Sequence, residues 1–270
     1  AGAPLVTDPR VRHVTFTGSV ATGVSVMQNV APNVTGLTLE LGGKSPLIAC
    51  ADADPEAVAE GALWAIFSNA GQICSAGSRL VIHETLHAEV LERLVKKAQA
   101  LRLGHGLRNP DMGAVNSAHH LAQIAGHVER ARARGVEIVT GGKVTCDPDS
   151  GKGWFFEPTI LDQLPPSDEA VTQEIFGPVL AVQTFTDEAE ALALANGTDF
   201  ALAAGIYTRD ISTALRMAQR VDAGQVTVND YWAGGIELPF GGNRKSGFGR
   251  EKGLEGLDAY TRAKAITLAV

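Results

Sequence analysis

Short runs rich in β-branched residues alternate with amphipathic segments along nearly the whole chain. Residues 13–18 (HVTFTG), 78–83 (SRLVIH) and 177–185 (GPVLAVQTF) predict strands, and a segment with helical periodicity follows each of them. Strands separated by helices of this length usually pair in parallel, because the helix carries the chain back across the sheet. The sequence therefore predicts an α/β protein with a largely parallel sheet.

One predicted helix can be bounded at both ends. Asp54 predicts an N-cap and Pro55 the first helical position. The helix should continue through residues 56–70 and stop near Gly71, because glycine adopts the backbone conformation that ends helices.

The composition excludes several classes of protein. The 270 residues carry a formal net charge of −7 and no basic cluster, so we expect no nucleic-acid partner. No apolar run reaches the roughly 18 residues of a spanning helix, so we expect no membrane segment. Cys50, Cys74 and Cys146 are odd in number and widely spaced, which indicates a reducing cytoplasm. No histidine pair has a zinc-ligand spacing with an accompanying Glu or Cys, so we expect no metal.

A glycine-containing turn joins the first strand to its helix. Gly18 and Ser19 follow the strand, and Gly23 lies in the first turns of the helix. Such a turn lets a backbone approach a pyrophosphate, and the helix N-terminus favours an anion. The full G-x-G-x-x-G spacing is missing, so an ordinary tight turn between strand and helix remains the alternative.

Glu40 ends an otherwise apolar strand, directly before Gly42 and Gly43. A carboxylate flanked by leucines is costly to bury, and an apolar setting raises its proton affinity, which suits a general base. A salt bridge to Lys44, or simple exposure at the strand end, is the alternative.

Cys74 follows a predicted helix end and precedes a run of small residues. Small neighbours would let a substrate carbon approach the sulfur, so Cys74 is a candidate nucleophile, with an inert buried thiol as the alternative. Cys50 closes an apolar strand and is expected in the core, whereas Cys146 is expected at the surface.

Six separate motifs resemble the NAD(P)-dependent aldehyde dehydrogenases, in the order and at the separations of that family. They are residues 16–19 (FTGS), 39–46 (LELGGKSP), 69–79 (NAGQICSAGSR), 155–161 (FFEPTIL), 173–180 (QEIFGPVL) and 239–251 (PFGGNRKSGFGRE). The resemblance covers essentially the whole chain.

The resemblance implies a role for each matching residue. Cys74 would be the nucleophile that adds to an aldehyde, and its backbone N–H would be one oxyanion donor. Hydride would pass to NAD or NADP, and Glu40 would activate the water that hydrolyses the thioester. Glu174 and Phe176 would hold the nicotinamide ribose and ring. The residues implied beside the rest of the cofactor are Gly18, Ser19, Gly23 and Leu41.

The resemblance also places the aldehyde entrance in the segment before residue 239. Tyr231, Trp232 and Phe240 are the implied lining residues. With Glu237 nearby, two aromatic rings could favour a cationic aldehyde. An aromatic lid over a medium-length aliphatic aldehyde is the alternative, and the sequence does not choose the substrate.

Family members are nearly twice as long, and the match is to their C-terminal half. Residues 1–41 would be the back half of a Rossmann-type cofactor domain, 42–243 the catalytic domain, and 244–270 a return segment with an oligomerisation strand. Residues 260–270 (YTRAKAITLAV) alternate like an edge strand that needs a partner. We therefore expect a homo-oligomer, a dimer or tetramer. We also expect a fragment, a truncated reading frame or half of a split enzyme, inactive alone.

Two other functions remain open at this point. The chain would be a non-catalytic remnant that oligomerises without a cofactor, or a cysteine esterase that uses Cys74 and Glu40 without nicotinamide. Cofactor binding and ester hydrolysis distinguish these functions from aldehyde oxidation.

Overall fold

The computed structural model describes residues 2–270. Its α-helices are α1 Gly2–Thr7, α2 Val20–Val30, α3 Pro55–Phe67, α4 Glu84–Ala100, α5 Ala118–Ala133, α6 Glu169–Thr172, α7 Glu188–Asn196, α8 Ile211–Ala218 and α9 Glu255–Asp258. Its strands are β1 His13–Thr17, β2 Gly36–Glu40, β3 Pro46–Ala49, β4 Arg79–His83, β5 Glu137–Thr140, β6 Val144–Thr145, β7 Phe155–Phe156, β8 Thr159–Asp162, β9 Val179–Phe185, β10 Phe200–Ala201, β11 Ala203–Tyr207, β12 Gln225–Val228, β13 Asn243–Arg244 and β14 Gly247–Phe248. Short 3₁₀ segments lie at Ala31–Asn33, Ser68–Gly71 and Gly106–Arg108.

The main sheet has seven strands in the order β12-β11-β3-β4-β9-β8-β5. All neighbouring pairs are parallel except β5 with β8. The predicted α/β fold with a parallel-rich sheet is confirmed. Parallel pairing sets the amino ends of six strands along one edge of the sheet, which we call the amino edge, and their carboxyl ends along the opposite carboxyl edge.

Helices cover both faces of this sheet. Leu47 packs in a cluster with residues of α3 and α4, whereas the next residue, Ile48, packs in a cluster with residues of α7 and α8. Because successive strand side chains point to opposite faces, a strand covered on both sides must be apolar throughout, as β3 is.

A smaller sheet, β1-β2-β14, lies beside the main one. β1 pairs with β2 in parallel through α2, with Thr17 opposite Glu40, and β14 returns antiparallel with Gly247 opposite Glu40. The last residue of β2 is therefore held between two strands. The domain boundaries at residues 41 and 243 stay predictions.

The structure corrects the predicted end of the helix near Gly71, and it shows no strand where residues 260–270 were predicted to form an edge strand. The helix expected to run to residue 70 ends at Phe67, because Asn69 and Ala70 adopt left-handed backbone angles, with φ of 51° and 56°. Position 71 requires a glycine, because its φ is 71° and a Cβ there would collide with the Gly177 carbonyl. Residues 261–270 form neither helix nor strand and are exposed in the single chain. No helix within residues 2–270 is long and apolar enough to cross a bilayer.

Candidate active site

The predicted chemistry-bearing residues meet where β2 ends and the amino edge of the main sheet begins. Glu40 is the last residue of β2, Cys74 lies in the loop that leads to β4, and Glu174 lies in the loop that leads to β9. The Gly42–Gly43 pair lies between these loops. A Cβ on Gly43 would lie 2.5 Å from the Cys74 carbonyl oxygen, and one on Gly42 would overlap the Glu174 carboxylate. Glycine is needed here because two loops approach the backbone closely.

Glu40 is buried, with 2% of its surface exposed. Neither carboxylate oxygen has a hydrogen-bond partner among the described residues. Burial, with a smaller contribution from the Glu251 charge, raises its pKa to about 8, and the Arg250 charge opposes the shift. The described residues contain no ion pair between Glu40 and Lys44, and the carboxylate is not exposed, so both structural alternatives fail. A buried proton acceptor of raised basicity is what remains.

Cys74 is half-buried. Burial raises the pKa of its thiol, a hydrogen bond from the Ser75 backbone lowers it, and the charges of Glu40 and Glu174 raise it again. The sulfur therefore needs a base or a bound cation to become a thiolate near neutral pH.

The other two cysteines lie elsewhere. Cys50 is at the carboxyl edge, half-buried rather than fully in the core, with its Sγ 3.7 Å from Met217 Sδ. Burial raises its pKa to about 11. Cys146 is exposed, as expected.

The Glu174–Phe176 segment is fixed to both sides of the site. Glu174 Oε1 accepts a hydrogen bond from the Gly43 N–H at 3.0 Å. Phe176 has a left-handed φ of 55° and is 39% exposed, and its carbonyl accepts from His120 Nε2 at 2.7 Å. His120 comes from α5 and holds this segment in place through that hydrogen bond. No sequence motif singles out His120 for this position.

Two basic side chains, Lys44 and Arg79, are buried near the site, and the sequence did not predict their burial. Lys44 is 1% exposed, and its Nζ has no partner among the described residues. Burial and the neighbouring Arg79 lower the Lys44 pKa to about 7, while Glu174 and Asp168 oppose the shift. Arg79, also 1% exposed, donates to the carbonyls of Lys44 at 2.8 Å, Leu194 at 2.6 Å and Ala195 at 2.7 Å.

The predicted pyrophosphate turn has a mixed outcome. Ser19 caps α2, accepting from the Thr22 N–H at 3.3 Å, and the Gly18 N–H donates to the Glu40 carbonyl at 3.0 Å. Both residues are exposed at the helix N-terminus. Gly23 has a packing reason, because a Cβ there would lie 2.7 Å from Leu41 Cδ2. Close packing against Leu41 is therefore sufficient reason for a glycine at position 23, whether or not a cofactor binds.

The predicted aldehyde-lining residues share one cavity of about 210 Å³. Tyr231, Trp232 and Phe240 line it together with Ser75, the neighbour of Cys74. The Tyr231 hydroxyl donates to the Ser75 carbonyl at 2.8 Å, which ties the cavity wall to the Cys74 loop.

Comparison with known proteins agrees with this arrangement. A family model described as "Aldehyde dehydrogenase family" matches residues 1–266. The chain is 41% identical to a betaine aldehyde dehydrogenase of Bacillus subtilis over 98% of its own length and 54% of the relative's. It is 42% identical to a 4-trimethylaminobutyraldehyde dehydrogenase of Oryzias latipes over 99% of the chain and 54% of the relative.

Solved structures give the same result. A betaine aldehyde dehydrogenase from Staphylococcus aureus in complex with NAD+ superposes with a TM-score of 0.93 at 39% identity, over 96% of this chain and 52% of that one. A putative aldehyde dehydrogenase from Burkholderia cenocepacia superposes at 0.95 and 42% identity, over 97% and 54%. The chain spans about half the length of the relatives it matches.

Proposed function

The chain belongs to the aldehyde dehydrogenase family, and we propose that it carries the catalytic centre for NAD(P)-dependent oxidation of an aldehyde to a carboxylic acid. The observation that carries this proposal is the buried Glu40 carboxylate, which has no hydrogen-bond partner among residues 2–270 and lies in one site with Cys74 and Glu174. A buried carboxyl group without a hydrogen-bond partner costs stability, and this cost favours a chemical role for Glu40 over a structural one.

The first step would use the Cys74 sulfur. Its thiol proton leaves to a base, the thiolate bonds to the aldehyde carbon, and the carbonyl oxygen becomes an oxyanion that the Cys74 N–H can face. A bound NAD+ or NADP+ would supply the two-electron acceptor that converts this adduct into a thioester. The chain's own contribution is to hold Ser75, the neighbour of Cys74, in the wall of the cavity that Tyr231, Trp232 and Phe240 line.

The second step would use Glu40. A carboxylate with a pKa of about 8 is basic enough to take a proton from water as the oxygen attacks the thioester carbon. Neither Glu40 oxygen is hydrogen-bonded within the described part of the chain, so neither has to break such a bond to accept that proton. Hydrolysis releases the carboxylic acid and restores Cys74.

The residues present fit a dinucleotide. The half-buried Glu174 keeps a carboxylate that can accept from ribose hydroxyls, and the exposed Phe176 ring can lie against a nicotinamide. The exposed N-terminus of α2 at Gly18 and Ser19 suits a pyrophosphate, with Gly23 and Leu41 packed behind it. The NAD+ complex of the S. aureus relative supports NAD as the cofactor.

Assembly into a homo-oligomer is part of the same proposal. Leu254, Ile266 and Leu268 are each more than three-quarters exposed in the single chain, an apolar surface that a second copy would cover.

Mass spectrometry of the Glu40→Gln chain tests the proposal against both rivals. Butanal with NAD+ should place a butyryl thioester on Cys74, because only oxidation turns the aldehyde into an acyl group. Butanal without NAD+ is the control and should not. A thioester from p-nitrophenyl butyrate but never from butanal would indicate the esterase instead. No thioester from either reagent would indicate the non-catalytic remnant.

A further inference from the structure

One charged side chain lines the cavity beside Cys74. The lining residues with no formal charge are Ser75, Ala203, Gln225, Tyr231, Trp232, Ala233, Gly234, Gly235, Leu238 and Phe240. Lys252 completes the set, so the described part of the chain gives this cavity one positive charge and no carboxylate.

The Lys252 ammonium is placed by an aromatic ring of the same wall. Its Nζ lies 5.3 Å from the centroid of the Phe240 ring, within the range of a cation–π contact. That ring face already holds a cation. A second cation entering the cavity would lose this aromatic surface and would meet a like charge.

The acid expected to attract a cationic aldehyde is not in the cavity wall. The Glu237 carboxylate lies against the Gly235 backbone, and Glu237 is exposed and absent from the lining set. The Glu237 carboxylate therefore borders a lining residue without lining the cavity itself, and the sequence suggestion that it favours a cationic aldehyde stays the alternative.

We propose that Lys252 selects substrates by charge, so that the site accepts aldehydes with an anionic group at the far end in preference to trimethylammonium aldehydes. The inference rests on the proposed function, because it assumes that the aldehyde reaches Cys74 through this cavity. It differs from what the names of the betaine and 4-trimethylaminobutyraldehyde relatives suggest.

Protection of Cys74 from iodoacetamide tests the proposal without any cofactor. Three aldehydes with the same four-carbon chain serve as probes, namely 4-oxobutanoate, butanal and 4-trimethylammoniobutanal. The concentration for half-protection should be roughly three- to tenfold lower for the carboxylate than for the trimethylammonium probe, the scale expected for one exposed charge pair. The ratio should shrink in about 0.5 M salt, because exposed charges are screened.

Variants separate local charge from general charge. Lys252→Met should bring the two charged probes to within about twofold of each other, and Lys252→Glu should reverse their order. Lys245→Met removes the same charge from an exposed residue that pairs with Asp199 outside the cavity, and should leave the ratio unchanged.

The outcomes test the selection by Lys252 and the aldehyde site at Cys74 separately. If the trimethylammonium probe protects best in the native chain, or Lys252→Met leaves the ratio unchanged, the selection by Lys252 is wrong while the aldehyde site stands. If butanal also fails to protect Cys74, the aldehyde site itself is wrong and both proposals fall.

Discussion

Polar side chains near the two edges of the main sheet differ in pairing: several buried groups at the amino edge lack partners among the described residues, whereas the exposed Asp52 at the carboxyl edge is hydrogen-bonded. At the amino edge, both Glu40 oxygens, Lys44 Nζ and Ser78 Oγ lack partners among the described residues. At the carboxyl edge, one Asp52 carboxylate accepts from the Thr208 hydroxyl at 2.8 Å and from the backbone N–H groups of Arg209 and Asp210 at 2.9 and 3.1 Å.

This difference separates stabilisation from chemistry within one sheet. Paired groups at the carboxyl edge contribute to folding, because each hydrogen bond satisfies a donor that would otherwise lose water. Unpartnered groups at the amino edge cost stability and keep their acceptor and donor capacity for a substrate. The same type of substitution should therefore have opposite consequences at paired and at unpaired polar groups.

The largest expected effect is on catalysis at the amino edge. Cys74→Ala should lower hydrolysis of p-nitrophenyl butyrate by roughly a thousandfold or more, because the nucleophile is lost. Cys50→Ala, at the carboxyl edge, is the matched control and should stay within about twofold. Equal losses in the two variants would remove Cys74 from its proposed role.

The next effect is a pH dependence of stability that Glu40 creates. Its pKa is about 8 in the folded chain against an ordinary value of 4.5 for a glutamate in water, so folding favours the protonated acid. That stability is complete below about pH 4.5 and is lost as pH rises toward 8. Between pH 5 and pH 7 the Glu40 contribution to the free energy of unfolding should fall by roughly 2.5 kcal/mol.

Urea unfolding of the native chain and of Glu40→Gln at these two pH values measures this fall. The variant should lack most of it, since glutamine does not titrate. Parallel curves for the two proteins would mean that Glu40 is solvated and ionised in the folded chain.

A smaller effect is expected from Asp52. Asp52→Ala should lower the free energy of unfolding by about 1–2 kcal/mol, because Thr208 and two backbone donors lose their acceptor. Iodoacetamide labelling of Cys74 should proceed at the native rate in the folded variant. A change in that rate would show that the two edges are coupled.

The smallest effect is expected from Lys44. Lys44→Met should raise the free energy of unfolding by about 1 kcal/mol at pH 7, because methionine fills the space without a buried ammonium. Arg79→Met, next to it, should destabilise, since three carbonyls lose their donor. If Lys44→Met destabilises as much as Arg79→Met, Lys44 has a partner in solution.

The sequence predicted what depends on local pattern. Strand and helix alternation predicts the parallel sheet, and the family motifs point to Cys74, Glu40 and Glu174, which the fold places in one region while their roles stay predictions. Asp54 and Pro55 correctly marked the start of α3, because capping is a property of a few adjacent residues.

What the sequence did not predict depends on distant pairing. Arg79 reads as one polar residue in an apolar strand, and its burial requires the end of α7, 115 residues away along the chain. The enclosure of Glu40 by β14 and the position of Lys252 over Phe240 likewise come from the return of the C-terminal segment. Periodicity does not encode such contacts.

The lifetime of an acyl group on Cys74 measures whether Glu40 activates the water that hydrolyses the thioester. The native chain, Glu40→Gln and Asp52→Ala would each be acylated briefly with p-nitrophenyl butyrate, and the thioester followed by mass spectrometry. We expect a lifetime roughly a hundredfold longer in Glu40→Gln, the scale of a lost general base, and a native lifetime in Asp52→Ala. Equal lifetimes in all three proteins, or an acyl group on Cys50 or Cys146, would contradict this expectation.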